Sequence, residues 1–138
     1  MLIRRERRPV VRRGFTLMEM LVVVAIIVVL AGTAIPLIIN NLENAKKDTA
    51  RTFCKATLTQ AVEAYKLRIN EYPPSLEALT QVWPDGSLPT LKPENIIDPW
   101  GHPYQYSPQG QHNAAYGLPD IWSLGPRVND PNGIIGNW

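Results

Sequence analysis

One cysteine, Cys54, and two histidines, His102 and His112, are the full supply of thiols and imidazoles in these 138 residues. A single thiol closes no intrachain disulfide, so any exported part must hold together without one. Cys54 falls on a helical segment and reads as packed rather than reactive. The histidines stand beside Pro103 and Asn113, with no cysteine or close carboxylate at metal-ligand spacing. No Gly-x-Ser-x-Gly elbow, phosphate loop or dinucleotide fingerprint occurs. Asp98 and Asp120 read as turn braces rather than as an acid–base pair. These motifs and pairings offer no convincing catalytic set, and the chain is expected not to be an enzyme.

Basic side chains are scarce once the first residues are set aside. Arg4, Arg5, Arg7, Arg8, Arg12 and Arg13 precede Gly14, against one acid, Glu6. The rest of the chain carries eight basic and eleven acidic side chains, so the sequence pI near 8.8 belongs to the leader. A nucleic-acid-binding arm is the competing reading of six arginines. They abut a membrane-length apolar run, however, where positive flanks act as topology determinants that stay on the cytoplasmic side.

Polar side chains are missing altogether from Met20 to Ala31, and the apolar run continues to Ile39. Twenty residues of helix span about 30 Å, the thickness of a bilayer core. Val, Ile and Leu fill the run with no 3.6-residue alternation, which suits lipid or the centre of a bundle. A secretory signal peptide would have a shorter apolar region and a small-residue cleavage site after it. Here Asn40-Asn41-Leu42-Glu43-Asn44 continues in a helical pattern instead.

Glu19 opens the apolar run. A carboxylate deep in a bilayer costs about 2.5–3.5 kcal/mol even on lenient insertion scales, so it wants a partner. Pro36 has no N–H and its ring presses on the carbonyl of Gly32, which predicts a kink or a locally melted stretch at Gly32–Pro36.

From Asn40 to about Asn70 the helix is expected to continue. Cys54, Leu58, Ala61, Val62, Tyr65 and Ile69 form one apolar stripe, with Lys46, Lys47, Arg51, Lys55, Glu63, Lys66 and Arg68 mostly off it. Beyond Glu71 the composition changes: eleven of the thirteen prolines lie there. Pro73-Pro74 ends the helix, Ser75 is placed to cap a short helix from Leu76 to about Val82, and Trp83 to Asn95 reads as loop. Strands are predicted at Tyr104–Ser107, Asn113–Gly117 and Ile121–Leu124. Trp83, Trp100, Trp122 and Trp138 are expected to supply much of the apolar mass of a thin domain.

Gly14-Phe15-Thr16-Leu17-Met18-Glu19 followed by an apolar run resembles the class III signal of type IV pilins and type II secretion pseudopilins. Asn70-Glu71-Tyr72-Pro73, Asp98-Pro99-Trp100-Gly101-His102-Pro103-Tyr104-Gln105-Tyr106, Asp120-Ile121-Trp122-Ser123-Leu124-Gly125-Pro126 and the ending Ile135-Gly136-Asn137-Trp138 are similar to the major pseudopilins of type II secretion. The resemblance implies an α+β, pilin-like fold: a long N-terminal transmembrane helix packed on a small antiparallel sheet with a C-terminal loop. It divides the chain into a basic leader (1–14), a transmembrane and assembly helix (15–39) and a periplasmic domain (40–138), with helix to 70 and loop and sheet from 71.

The same resemblance implies a peptidase cut between Gly14 and Phe15, N-methylation of Phe15, and assembly through Phe15, Glu19 and Pro36. Cleavage would create an ammonium on Phe15, which could pair with Glu19 of a neighbouring subunit and set register. The implied partners are further copies of the chain, prepilin peptidase, other pseudopilins and an inner-membrane secretion platform, with no nucleic acid. The implied place is the inner membrane, amino terminus in the cytoplasm and domain in the periplasm.

The family also implies a structural calcium ion in the C-terminal loop. Arg127 stands where an aspartate would follow Gly125-Pro126, and Gly133-Ile134 replaces a pair of aspartates. Leu124 through its carbonyl, Asn129, Asp130 and Asn132 remain as donors for a weaker site. The alternative is an Asx-turn loop without an ion, with Arg127 bonded to Asp130. Competing functions are a type IV pilus major or minor pilin, many of which close the loop with a disulfide that this chain lacks; a filament-capping minor pseudopilin, for which loss of Glu19 would be the mark; and a membrane-anchored enzyme or binding module, which would not need the Gly14–Phe15 junction.

Overall fold

The computed structural model describes residues 14–138; the arginine-rich leader residues lie outside them. The chain divides into two compact units between Asn40 and Asn41. Helix α1, Leu17–Thr52, begins in the first unit, and its sequence there is the apolar run. From Gly14 to Leu42 the side chains are apolar except Thr16, Glu19, Thr33, Asn40 and Asn41, and all are exposed in the isolated chain. α1 continues through Pro36 without a break, so the melted stretch expected at Gly32–Pro36 is absent. Thr33 helps hold this turn by donating its hydroxyl to the Leu30 carbonyl at 2.9 Å.

The second unit, Asn41–Trp138, has its own core. A π-helical turn, Phe53–Leu58, follows α1, and helix α2, Thr59–Ile69, completes the helical run. The sequence pattern anticipates a helix here but not the wide turn. The cause lies in the spacing of the apolar stripe. Ala50, Cys54 and Leu58 recur every four residues and are all fully buried. A four-residue step overshoots an α turn by about 40°, and a wider π turn cancels that drift. The Thr59 hydroxyl donates to the Cys54 carbonyl at 2.7 Å inside this turn. Ala61, Val62 and Tyr65 extend the buried face, with Ile69 half-buried at its end. Asn70 stops α2 in the left-handed conformation, φ 66°, its N–H bonded to the Lys66 carbonyl.

The short helix expected to reach Val82 is one 3₁₀ segment, Leu76–Thr80, and Ser75 is extended without capping it. Leu76 and Leu79, three apart, eclipse on a 3₁₀ turn and both enter the core. The sheet has three antiparallel strands in the order β1 (Gln105–Ser107), β2 (Asp120–Ser123), β3 (Ile135–Gly136). Tyr106 pairs with Ile121, and Ser123 with Ile135. Asn113–Gly117 is not a strand: the Asn113 N–H bonds the Asp120 carboxylate, and Ala114–Tyr116 forms a 3₁₀ turn in which the Tyr116 and Gly117 N–H groups bond the Asn113 and Ala114 carbonyls. Ile135–Gly136 takes the third strand position instead.

Ile121 and Ile135 pack with Cys54 and Leu58 in one buried cluster with Tyr104. Of the four tryptophans only Trp83 is buried, set edge-on to Tyr65 at 4.9 Å. Trp138 is 41% exposed, and its apolar area lies against His112 rather than in the core. The fold is α+β and pilin-like, a long N-terminal apolar helix with a small antiparallel sheet.

Candidate processing and assembly site

The first helical turn binds its own carboxylate. The Thr16 N–H donates to Glu19 Oε2 at 2.8 Å and the Thr16 hydroxyl to the same oxygen at 3.2 Å. In return Thr16 Oγ1 accepts from the Glu19 N–H at 3.2 Å. This is a reciprocal capping box, and its Thr-x-x-Glu pattern is readable in the sequence. Sequence reasoning that sought a cationic partner for Glu19 overlooked it. Two helix-start donors and the positive end of the macrodipole are thus satisfied within the chain. Oε1 takes part in neither of the carboxylate's bonds.

Phe15, next to this cap, is 81% exposed. A methyl group on Gly14 would meet no atom within 4 Å. The described residues therefore place no packing demand for glycine at this position. Pro36 lies in mid-helix and is far along the chain from the Thr16–Glu19 cap, so the structure brings together Phe15, Thr16 and Glu19 but not Pro36. From Leu17 to Ile69 the helical run is long and apolar enough to cross a membrane.

The C-terminal segment is built on two buried aspartates. Asp98 Oδ1 accepts the N–H groups of Trp100 (3.0 Å) and His102 (2.8 Å), while Oδ2 accepts the Ser123 hydroxyl at 2.6 Å. His102 Nδ1 lies 3.8 Å from Asp98 Oδ2. The sequence reading missed this carboxylate beside the imidazole. The set is not a nucleophilic triad, because the fully buried Ser123 hydroxyl faces the carboxylate rather than the imidazole. The Trp100 indole N–H reaches Glu43 at 2.8 Å and ties this turn to α1.

Asp120 accepts N–H groups from Gln111 (2.6 Å), His112 (2.9 Å) and Asn113 (3.0 Å), and His112 Nδ1 stands 3.2 Å away. Burial opposes its ionisation, but these hydrogen bonds outweigh burial and hold the carboxyl below the usual carboxylate range. His112 stacks flat on Trp138 at 3.8 Å. A cavity of about 550 Å³ opens beside them, lined also by Trp122, Ser107 and Ile134. Cys54 is fully buried in the core, and burial pushes its thiol up to about 12.

In the loop after β2, Asp130 Oδ1 accepts the Asn132 N–H at 3.0 Å, and the Gly133 N–H bonds the Asp130 carbonyl at 2.9 Å. The Asp130 N–H bonds the Arg127 carbonyl at 3.0 Å. No ion pair joins the Arg127 side chain to Asp130 among the described residues, contrary to that expectation. Among the described residues, no group of three or more His, Cys, Asp or Glu side chains gathers at metal-binding range. Leu124, Asn129, Asp130 and Asn132 bring one carboxylate to the loop. With that single carboxylate and no other acidic side chain in the loop, these residues lack the charge that a tight calcium site gathers, so they do not fit that ion.

Residues 37–138 match the family described as type II secretion system, protein G, and residues 11–35 match the prokaryotic N-terminal methylation motif. The type II secretion system core protein G of Klebsiella pneumoniae is 37% identical, over 92% of this chain and 94% of its own. That of Pseudomonas aeruginosa is 36% identical, over 91% and 94%. The Vibrio cholerae protein is 34% identical, over 91% and 90%. With a match across most of its length, an N-methylation motif over the capped end of an apolar helix, and the α+β pilin-like fold, the chain belongs to the type II secretion system protein G family, the major pseudopilins.

Proposed function

We propose that prepilin peptidase cuts the chain after Gly14, that Phe15 becomes the N-methylated first residue, and that the matured subunits polymerise into the pseudopilus that drives export of folded proteins across the outer membrane. The observation that carries this reading is the wholly exposed apolar stretch of α1 with a capped carboxylate at its start. A surface of that size is covered either by lipid or by other copies of itself. Lipid covers it in the precursor, where the helix is a single-pass inner-membrane anchor with its leader in the cytoplasm and its domain in the periplasm. Neighbouring helices cover it in the filament.

The cap gives Glu19 a specific part in the exchange. Thr16 engages Oε2, which keeps the carboxylate oriented and partly solvated by the helix end while it lies in lipid. Oε1 is left for the Phe15 ammonium of the next subunit. A buried pair of this kind contributes register more than net stability. Pro36 removes one backbone bond midway along the helix and supplies a place where the packed helix adjusts. Other pseudopilins and the inner-membrane platform complete the assembly.

N-terminal mass spectrometry of protein extracted from membranes of the native host tests the reading. N-methyl-Phe15 as the first residue supports it. Recovery of the protein with its leader intact, in cells whose secretion is active, overturns it.

A further inference from the structure

We infer that the loop between β2 and β3 is closed by the chain itself and needs no calcium ion to fold. The two ends of the loop already touch. Gly125, φ 72°, lies so close to Gly133 that a methyl group on it would overlap the Gly133 carbonyl oxygen. A second fastening lies inside the loop, where Asp130 caps the 3₁₀ turn Pro131–Gly133 by accepting the Asn132 N–H through Oδ1. That is an Asx turn, a backbone-closing use of the carboxylate. A third fastening is at the root, where the Gly125 N–H bonds the buried Ser123 hydroxyl at 2.9 Å.

The charge of the loop argues the same way. Calcium affinity follows the number of charged ligands. Asp130 is the one carboxylate between Ser123 and Ile135, and Arg127 cancels its charge within the same loop. Asn129 and Asn132 are exposed and supply neutral amides only. The geometry therefore replaces an ion by a backbone contact and an Asx turn. Neither device depends on the assembly reading above, and both act on the monomer.

The test is thermal melting of the full chain in detergent, in about 5 mM calcium and in chelator, a concentration above that needed by weak extracellular sites. The melting temperatures should agree within about 1 °C, and terbium should give no saturable luminescence sensitised by Trp122 or Trp138. Asp130→Asn keeps an oxygen acceptor and removes the charge, so it should melt with the parent protein. Asp130→Ala removes the acceptor and should melt lower, equally with and without calcium. A calcium-dependent rise that disappears in Asp130→Asn would overturn the inference. So would an Asp130→Asn protein as labile as Asp130→Ala.

Discussion

Asn137 and Ile121 are joined by two hydrogen bonds in opposite directions: the Asn137 N–H donates to the Ile121 carbonyl at 3.0 Å, and the Ile121 N–H donates to Asn137 Oδ1 at 3.1 Å. The same amide accepts from Asn113 Nδ2 at 2.9 Å and donates to the Pro119 carbonyl at 3.0 Å. One side chain near the end of the chain thus ties β2, the turn before it and the last residues together. Asn137→Ala leaves the buried Asn113 amide and the Ile121 N–H without their acceptor. The loss should be about 1–3 kcal/mol, read as a lower melting temperature, whereas Asn132→Ala, on an exposed side chain, should change stability by less than about 0.5 kcal/mol. Equal effects would remove the special place given to Asn137.

Gly14→Ala should leave the protein folded, since nothing crowds that position. It should nonetheless accumulate as a precursor with the mass of the leader retained. Ready maturation of this variant would count against the peptidase reading.

Thr16 and Glu19 separate helix capping from assembly. Thr16→Ala removes one half of the cap and should cost about 1 kcal/mol of helix-start stability, with membrane insertion intact. Glu19→Ala should also insert but should impair filament assembly, because on the proposed pairing the Phe15 ammonium loses its partner. Filament yield by electron microscopy of sheared cells distinguishes the two; normal filaments from Glu19→Ala would refute the pairing.

Asp120 should make the domain acid-sensitive. Its folded-state carboxyl lies below the usual range, so its contribution to stability is complete above the unfolded value of about 3.9. That contribution is lost as pH falls through the lower folded value. A plot of denaturation midpoint against pH should fall steeply below about pH 4. Asp120→Asn should be less stable at neutral pH and show a shallower acid limb. An unchanged limb would assign the acid sensitivity elsewhere.

Cys54 should resist thiol reagents in the folded protein. Its thiol is fully buried and held protonated at neutral pH, and the thiolate is the reactive form. Maleimide labelling should proceed only at the rate of unfolding and become rapid in denaturant. Quick labelling under native conditions would mean that the π turn opens.

Much of the fold was legible because it depends on local pattern. The apolar stripe from Cys54 to Tyr65 is the buried face of the helix, and the run from Met20 to Ile39 is the exposed apolar helix. Asp98 and Asp120 brace turns as their neighbours suggested. What escaped depends on contacts distant in sequence. The residues around Asn113 have a passable strand composition, but Asp120 takes their N–H groups and bends them into a turn. Ile135-Gly136 is too short to announce a strand and becomes one by pairing with Trp122 and Ser123. The Thr16–Glu19 cap follows the Thr-x-x-Glu capping-box pattern and is legible from local spacing alone.

By itself the sequence determined the apolar helix, the N-terminal methylation motif that overlaps its start, and the family, since each is a matter of residue type and spacing along one strand of chain. Tertiary structure alone decided how the last forty residues close. There, buried carboxylates choose among competing N–H groups, Gly125 meets Gly133, and Asn137 reaches across β2, and no local propensity ranks such alternatives. The loop's closure through Gly125, Gly133 and the Asp130 turn depends on those contacts.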